Sequence, residues 1–293
     1  MTDARSDMAY ELRHWIAPDG VKLAFRDYPG RQDRPPILCM AGLTRNSRDF
    51  KGVAERLAGE WRVIAIDFRG RGKSEFAKDS ASYLPANYAL DVEALLAAER
   101  IERFVAFGTS LGGIVTMILA SRDPARIAGA LLNDVGPELD PAGLTRIRSY
   151  VGRGAAMPTW MHAARAVAET NAEVYPDYSN ADWLAMAKRL YRLNSSGRIV
   201  LDYDMRIAEP FRQPGNEAAP DMWSGFDALT QHPLLVVRGE RSDVLPADTA
   251  QKMAAKGAEL VTVPRTGHTP TLTEPTAVAG IDRLLARVEQ ARG

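Results

Sequence analysis

The most informative stretch of the sequence for the fold is Arg103-Phe-Val-Ala-Phe-Gly-Thr-Ser-Leu-Gly-Gly-Ile-Val-Thr-Met-Ile-Leu-Ala120. Its first part, Phe104 to Phe107, is an uncharged apolar run that ends at Gly108. Its last part, Leu111 to Ala120, is apolar on nearly every side. Such runs are typical of a buried strand in a parallel sheet and a buried helix after it. The stretch therefore predicts a strand, a tight turn and a helix.

Ser110 stands in this turn, flanked by Gly108 and Gly112 at G-x-S-x-G spacing. A nucleophilic serine on a strained strand-to-helix turn needs small neighbours where the chain closes on itself. The Leu111 amide lies near the N-terminus of the predicted helix, where negative charge on an oxygen is stabilised. We therefore interpret Ser110 as a candidate nucleophile. A turn of small residues in which the serine only caps the helix is the alternative, and the predicted strand before and helix after Ser110 favour the nucleophile.

Composition limits the partners of the chain. Its 293 residues are 46% hydrophobic, which is ample for a large core. Lys plus Arg and Asp plus Glu both number 37, so no net charge attracts nucleic acid or an anionic membrane. Cys39 is the single cysteine, which excludes an intrachain disulfide and a multi-cysteine metal site. We expect a small-molecule substrate, no metal and no cofactor, in a monomer or homodimer.

The first residues, Met1 to Met8, are polar and lack the apolar core of a signal peptide. No apolar run reaches the length that spans a membrane. The sequence therefore predicts a cytoplasmic protein.

Strand-like and helix-like segments alternate along most of the chain, after an opening hairpin of 10–16 and 21–28. This alternation predicts an α/β fold with a mostly parallel sheet of about eight strands and helices on both faces. Between residues 138 and 226 the alternation stops, and helix-like pieces without a clear strand follow, at 141–152, 159–173 and 181–194. We predict a helical cap there. The predicted units are a first core part (1–137), the cap (138–226) and a second core part (227–293).

The loop after the predicted strand 62–66 contains candidate functional residues. The loop Asp67-Phe-Arg-Gly-Arg-Gly-Lys-Ser74 lacks the glycine spacing of a phosphate-binding P-loop. Because Asp67 stands beside many free amides, we predict that its carboxylate accepts hydrogen bonds from the loop.

Three residues occur in the chain order nucleophile, acid, base: Ser110, Asp243 and His268. Each follows directly after a predicted strand, and open α/β sheets bind ligands at the carboxyl ends of their strands. A serine hydroxyl is a poor nucleophile at neutral pH, so His268 must take its proton. Asp243 must then hold the imidazole in the right tautomer and stabilise its charged form.

With these motifs the sequence resembles the α/β-hydrolase fold superfamily, as a serine hydrolase with a helical cap. The resemblance rests on residues 108–112, 67–74, 239–243 and 267–268 and covers nearly the whole chain. It implies that Ser110, Asp243 and His268 form the triad and that the Leu43 and Leu111 amides form the oxyanion hole. Some members take the acid from the strand before the cap, which makes Asp134 the alternative acid. We rank Asp243 first because Asp134 precedes a Gly-Pro pair typical of a strand-ending turn.

The resemblance also limits the reaction. Dehalogenases and epoxide hydrolases of this fold carry aspartate at the nucleophile position, whereas this chain has Ser110. Hydrolysis of a small, largely apolar ester or lactone through an acyl-serine is the leading hypothesis. Carbon-carbon bond hydrolysis of a vinylogous diketone is an alternative, and so is a non-catalytic protein that binds a small ligand on the same fold.

Overall fold

The computed structural model describes residues 10–212 and 222–291. Its strands are β1 (Glu11–Ile16), β2 (Lys22–Tyr28), β3 (Ile37–Met40), β4 (Val63–Asp67), β5 (Phe104–Thr109), β6 (Ile127–Asn133), β7 (Tyr191–Leu193), β8 (Ile199–Leu201), β9 (Leu234–Gly239) and β10 (Glu259–Val263). Its α-helices are α1 (Lys51–Leu57), α2 (Pro85–Ala98), α3 (Leu111–Arg122), α4 (Pro141–Tyr150), α5 (Trp160–Asn171), α6 (Asn180–Leu190), α7 (Ala208–Arg212), α8 (Met222–Leu229), α9 (Ala247–Ala255) and α10 (Pro275–Gln290).

Eight of these strands form one sheet in the order β1-β2-β4-β3-β5-β6-β9-β10. The opening hairpin β1–β2 and the pair β2–β4 are antiparallel, and all other neighbours are parallel. The predicted α/β fold, its mostly parallel sheet of about eight strands and the opening hairpin are therefore confirmed. Parallel strands share one carboxyl edge, so the loops after β3, β5, β6, β9 and β10 meet there.

Both faces of the sheet are covered by helices, as predicted. Strands β3, β4 and β6 are buried along their whole length, because apolar side chains on both faces pack under helices. Helices α2, α3, α8 and α9 pack over one face, and α1 and α10 pack over the other. Cys39 lies buried within β3, and burial raises the pKa of its thiol, which makes it a structural residue. None of the helices in the described part of the chain is long and apolar enough to cross a membrane.

The predicted cap region contains helices α4, α5, α6 and α7 and also a short antiparallel hairpin, β7–β8. The expectation of a helix to residue 194 and of no strand was therefore wrong. Helix α6 ends because Tyr191 adopts an extended backbone and pairs with Leu201. The Asn194 side chain accepts the amides of Ser196 and Arg198 and closes the turn between the two strands.

The predicted cap boundary at residue 226 falls inside α8. This helix packs closely on α3, because a Cβ atom on Gly225 would lie 2.5 Å from the backbone oxygen of Met117. Phe226 and Leu229 are fully buried in the same core cluster as α3. The three-part division stays a prediction, and this packing favours a second boundary before Met222.

Candidate active site

Ser110 occupies the turn between β5 and α3 with a left-handed backbone, at φ +52° and ψ −115°. Such a conformation is strained for a residue with a side chain and is tolerated where the surroundings hold it. The flanking glycines are required by close packing. A Cβ atom on Gly108 would lie 2.5 Å from the Gly112 backbone oxygen, and one on Gly112 would lie 2.0 Å from the Met40 backbone oxygen. The G-x-S-x-G spacing therefore has the steric cause that the sequence indicates.

The loop after β10 places His268 against Ser110. The distance from His268 Nε2 to Ser110 Oγ is 3.0 Å, and the distance from His268 Nδ1 to Asp134 Oδ2 is 2.8 Å. Both distances are hydrogen-bond distances. The structure therefore brings together Ser110, His268 and Asp134, and these three side chains form one continuous hydrogen-bonded line.

The carboxylate of Asp134 is fully buried and is held by several donors. Its Oδ1 accepts the Gly239 amide at 2.9 Å, and its Oδ2 accepts the Ser242 hydroxyl at 2.7 Å as well as His268. The Ser242 oxygen itself accepts the amides of Val244 and Leu245 at 3.2 Å and 3.1 Å. Because those amides occupy its acceptor sites, the Ser242 hydroxyl proton is directed to Asp134. This set of donors stabilises a buried carboxylate.

Asp243, ranked first from the sequence, does not contact His268, and that ranking is corrected by the geometry. Its carboxylate forms a two-pronged ion pair with Arg146 of α4, with the Oδ1 to Nη2 distance at 2.8 Å. The pKa of Asp243 is lowered overall. Partial burial acts to raise this pKa, but the hydrogen bonds and the positive charge of Arg146 have the larger effect. The backbones of α4 and the Asp243 loop pack closely, since a Cβ atom on Gly143 would lie 2.0 Å from the Asp243 backbone oxygen. The loop after β9 thus turns Asp243 towards the cap region and Ser242 towards Asp134.

The two amides predicted for the oxyanion hole lie on either side of Ser110. Leu111 begins α3 directly after it, and a Cβ on Gly42, the residue before Leu43, would lie 3.6 Å from Ser110 Cβ. Neither the Leu43 nor the Leu111 amide donates a hydrogen bond to another residue within 10–212 or 222–291. Both amides are therefore available to an oxygen bound beside Ser110.

Two buried side chains support this loop. Arg71 has no exposed surface and donates from Nε to the Leu43 backbone oxygen at 2.9 Å. Asp67 accepts the amides of Ser47 and Lys73 at 2.6 Å and 2.9 Å, which confirms it as an acceptor for the loops around it. The sequence analysis missed Arg71, because nothing in the spacing of residues 70–74 shows which backbone oxygen the guanidinium reaches.

A segment of the predicted cap also holds the histidine loop, a link that the sequence analysis missed. The Gly267 amide donates to the Val174 oxygen at 2.9 Å, and the Tyr175 hydroxyl donates to the Thr269 oxygen at 2.7 Å. These contacts fall on both sides of His268. No local signal could reveal them, because Tyr175 and Thr269 are 94 positions apart.

A cavity of about 1020 Å³ lies between the segment 175–189 and the core. Ser110, Asp134 and His268 are not among the residues that line it, but their sequence neighbours Thr109, Asn133 and Thr269 are. Its walls also carry aromatic and cationic side chains, namely Tyr175, Tyr178, Arg45, Arg48, Lys188 and Arg189. Carboxylates line it too, namely Asp49, Glu55, Asp177, Asp182 and Glu274. A concave site with apolar and polar walls of this kind can hold a small molecule.

The search for a metal site covered only the part of the chain that the structure describes. No group of three or more His, Cys, Asp or Glu side chains is placed there to hold a metal ion.

Comparison with known proteins agrees with this architecture. Residues 37–281 match the alpha/beta hydrolase family. The chain is 34% identical over 274 residues to the 3-hydroxybutyrate-oligomer hydrolase of Cupriavidus necator, covering 90% of this chain and 93% of that protein. It is 25% identical over 236 residues to the 2-(acetamidomethylene)succinate hydrolase of Mesorhizobium japonicum, covering 80% and 81% of the two chains.

A crystal structure of an alpha/beta hydrolase from Novosphingobium aromaticivorans superposes with a TM-score of 0.92 at 60% identity. The superposition covers 96% of this chain and 99% of that one. The family match spans most of the chain, and the relatives extend over nearly all of it. The chain therefore belongs to the alpha/beta hydrolase family.

Proposed function

We propose that this protein is a serine hydrolase that cleaves a small ester through an acyl-serine intermediate. Ser110 is the nucleophile, His268 the general base, Asp134 the acid that orients it, and the Leu43 and Leu111 amides the oxyanion hole. The observation that carries the proposal is the line of hydrogen bonds from Ser110 Oγ through His268 to Asp134, at 3.0 Å and 2.8 Å. A non-catalytic ligand-binding protein has no need of this alignment.

In the proposed reaction, His268 Nε2 accepts the hydroxyl proton as Ser110 Oγ attacks the ester carbonyl carbon. The carbonyl oxygen becomes an oxyanion, which the two amides stabilise. The bond to the alcohol oxygen then breaks, and His268 gives its proton to the departing alcohol. A water molecule, deprotonated by His268, then attacks the acyl carbon. The bond between the acyl carbon and Ser110 Oγ breaks, and His268 returns the proton to Oγ as the acid leaves.

Short oligoesters of hydroxy acids are the proposed substrates. The similarity to the 3-hydroxybutyrate-oligomer hydrolase supports this class, since the two chains align over nearly their full lengths. The cavity of about 1020 Å³ is large enough for a molecule of that size. A lactone of a hydroxy acid would undergo the same chemistry at the same carbonyl.

The test combines turnover with active-site labelling. Purified protein should release 3-hydroxybutyrate from its dimer and trimer, and a fluorophosphonate should add one phosphonyl group to Ser110, measured by peptide mass. A lactone and a vinylogous diketone are assayed in parallel. Turnover of the diketone alone would favour carbon-carbon hydrolysis. A folded protein with neither labelling nor turnover of any of these substrates would favour a ligand-binding protein.

Ser242 gives a separate prediction, because its hydroxyl positions Asp134. Ser242→Ala is expected to lower kcat about 10-fold with little change in KM. Hydrogen bonds to charged groups contribute about 1.5–3 kcal/mol, and we expect the lower end because Gly239 still holds the carboxylate. Ser149→Ala is the control, since that exposed hydroxyl donates only to the Arg146 backbone oxygen. An unchanged kcat, with only a lower Tm, would show that Ser242 has no positioning role.

A monomeric or homodimeric state and a cytoplasmic location remain predictions of the sequence. Light scattering of the purified protein and fractionation of producing cells test them.

A further inference from the structure

The Arg45 side chain runs close beside the nucleophile. An ideal Cβ atom on Gly42 would lie 3.4 Å from Arg45 Cγ and 3.6 Å from Ser110 Cβ. Since both distances start from one point, Arg45 Cγ and Ser110 Cβ are no more than about 7 Å apart. The guanidinium group is therefore within reach of a small substrate bound at Ser110.

Only part of this guanidinium is used by the protein. Asp49 accepts from Arg45 Nε at 2.6 Å and from Nη2 at 2.9 Å. The third nitrogen, Nη1, donates to none of the described residues. The side chain keeps 24% of its surface exposed because it lines the cavity, which leaves Nη1 donors for a ligand oxygen.

The charge around Arg45 is not balanced by its partner. Asp49 also lies 3.5 Å from Arg189 Nε, so that two guanidinium groups share one carboxylate. Lys188 lines the same cavity and makes no ion pair with a described residue. Seven Lys or Arg side chains and five Asp or Glu side chains line the cavity, so its wall carries two excess positive charges, which attract an anion.

The neighbouring Tyr175 adds no negative charge to this wall. Tyr175 lines the cavity beside Arg45, and burial raises its pKa while the nearby Arg45 charge opposes the rise. Tyr175 therefore stays neutral at physiological pH and does not compete with an anionic ligand for the guanidinium.

We propose that Arg45 binds the free carboxylate of the substrate and makes the enzyme specific for oligoesters that end in a hydroxy acid. This inference rests on the proposed function. In such an oligoester the terminal carboxylate carbon is about four bonds from the scissile carbonyl carbon, or roughly 6 Å along the chain at about 1.5 Å per bond. Arg45 Cγ lies no more than about 7 Å from Ser110 Cβ, so a carboxylate at that length from the scissile carbonyl is within range of the Arg45 side chain. The carboxylate belongs to the alcohol side, so cleavage releases one hydroxy acid from the carboxyl end.

The test compares the 3-hydroxybutyrate dimer with its methyl ester, which lacks the terminal charge. Wild-type protein should prefer the free acid, and Arg45→Gln should lower the acid-to-ester ratio of kcat/KM by about 30-fold. A charge-assisted hydrogen bond of about 1.5–3 kcal/mol gives this size. Because the readout is a ratio for one preparation, a smaller folded fraction of the variant does not affect it.

Asp49→Asn is the matched control, since it breaks the same ion pair but keeps the guanidinium. If Arg45 binds the carboxylate, Asp49→Asn should retain or increase the preference for the acid. An unchanged ratio in Arg45→Gln, or an equal loss of the ratio in Asp49→Asn, would overturn the proposal and leave ester hydrolysis in place. A failure of the proposed function can be told apart from a failure of the Arg45 proposal. In that case the wild-type protein would hydrolyse neither compound and would not react with the fluorophosphonate.

Discussion

Ser110→Ala is expected to lower kcat by about 10⁴-fold or more while the protein stays folded. In the proposed mechanism the hydroxyl forms the covalent bond to the substrate, and no other described side chain is placed to take that role. Removal of a triad member typically leaves only the contribution of substrate binding and the oxyanion hole. Alanine has the same backbone preference as serine for the φ of +52°, so the strain of the turn is unchanged.

The measurement is kcat on the 3-hydroxybutyrate dimer, with the Tm and fluorophosphonate labelling recorded on the same preparation. Ser121→Ala is the matched control, because Ser121 lies in α3, the helix that follows Ser110, is exposed and donates only to the Ile118 backbone oxygen. The control should keep full turnover and labelling. Near-normal turnover in folded Ser110→Ala would exclude acyl-serine chemistry.

The second prediction compares the loss of kcat when each of the two candidate acids, Asp134 and Asp243, is replaced by asparagine. Asp134→Asn is expected to cost about 10⁴-fold in kcat, because the amide cannot stabilise the His268 imidazolium and favours the wrong tautomer. Asp243→Asn is expected to change kcat less than about 10-fold. It removes only a partly exposed ion pair with Arg146, a type of contact that contributes roughly 0–1 kcal/mol to the free energy of unfolding.

Both variants are assayed below their measured Tm, since Asn at position 134 also disturbs the donors from Gly239 and Ser242. The comparison is therefore of kcat per folded molecule, with the folded fraction measured by circular dichroism. A larger loss in Asp243→Asn than in Asp134→Asn would contradict the role drawn from the geometry and return the acid to Asp243.

Local features of the fold could be predicted because their causes are local. The apolar runs around Ser110 are buried as a strand and a helix. The two glycines of the motif lie within five residues of each other, and each is required by a close backbone contact. The opening hairpin likewise depends on a turn between neighbouring segments. In such cases the residues that interact are close in sequence, so their spacing carries the information.

The hairpin β7–β8 shows where local pattern was insufficient. Residues 191–193 continue the polar and apolar pattern of α6, yet Tyr191 leaves the helix and pairs with Leu201. The strand is stable only because a partner strand returns ten positions later. Pairing of this kind outweighs the small differences in intrinsic propensity between residues.

The local pattern of residues was enough to predict the sheet, the tight turn at Ser110 and the placement of candidate acids and bases at one edge of the sheet. Which carboxylate contacts His268 depends on the folded chain. Asp134 and Asp243 follow the neighbouring strands β6 and β9, so both stand at the correct edge. The direction of each side chain depends on contacts with distant residues, Arg146 for Asp243 and Ser242 for Asp134, which are 97 and 108 positions away. The orientation of a loop side chain depends on the hydrogen bonds and ion pairs that it can form. The groups that form them come close to it only once the chain has folded.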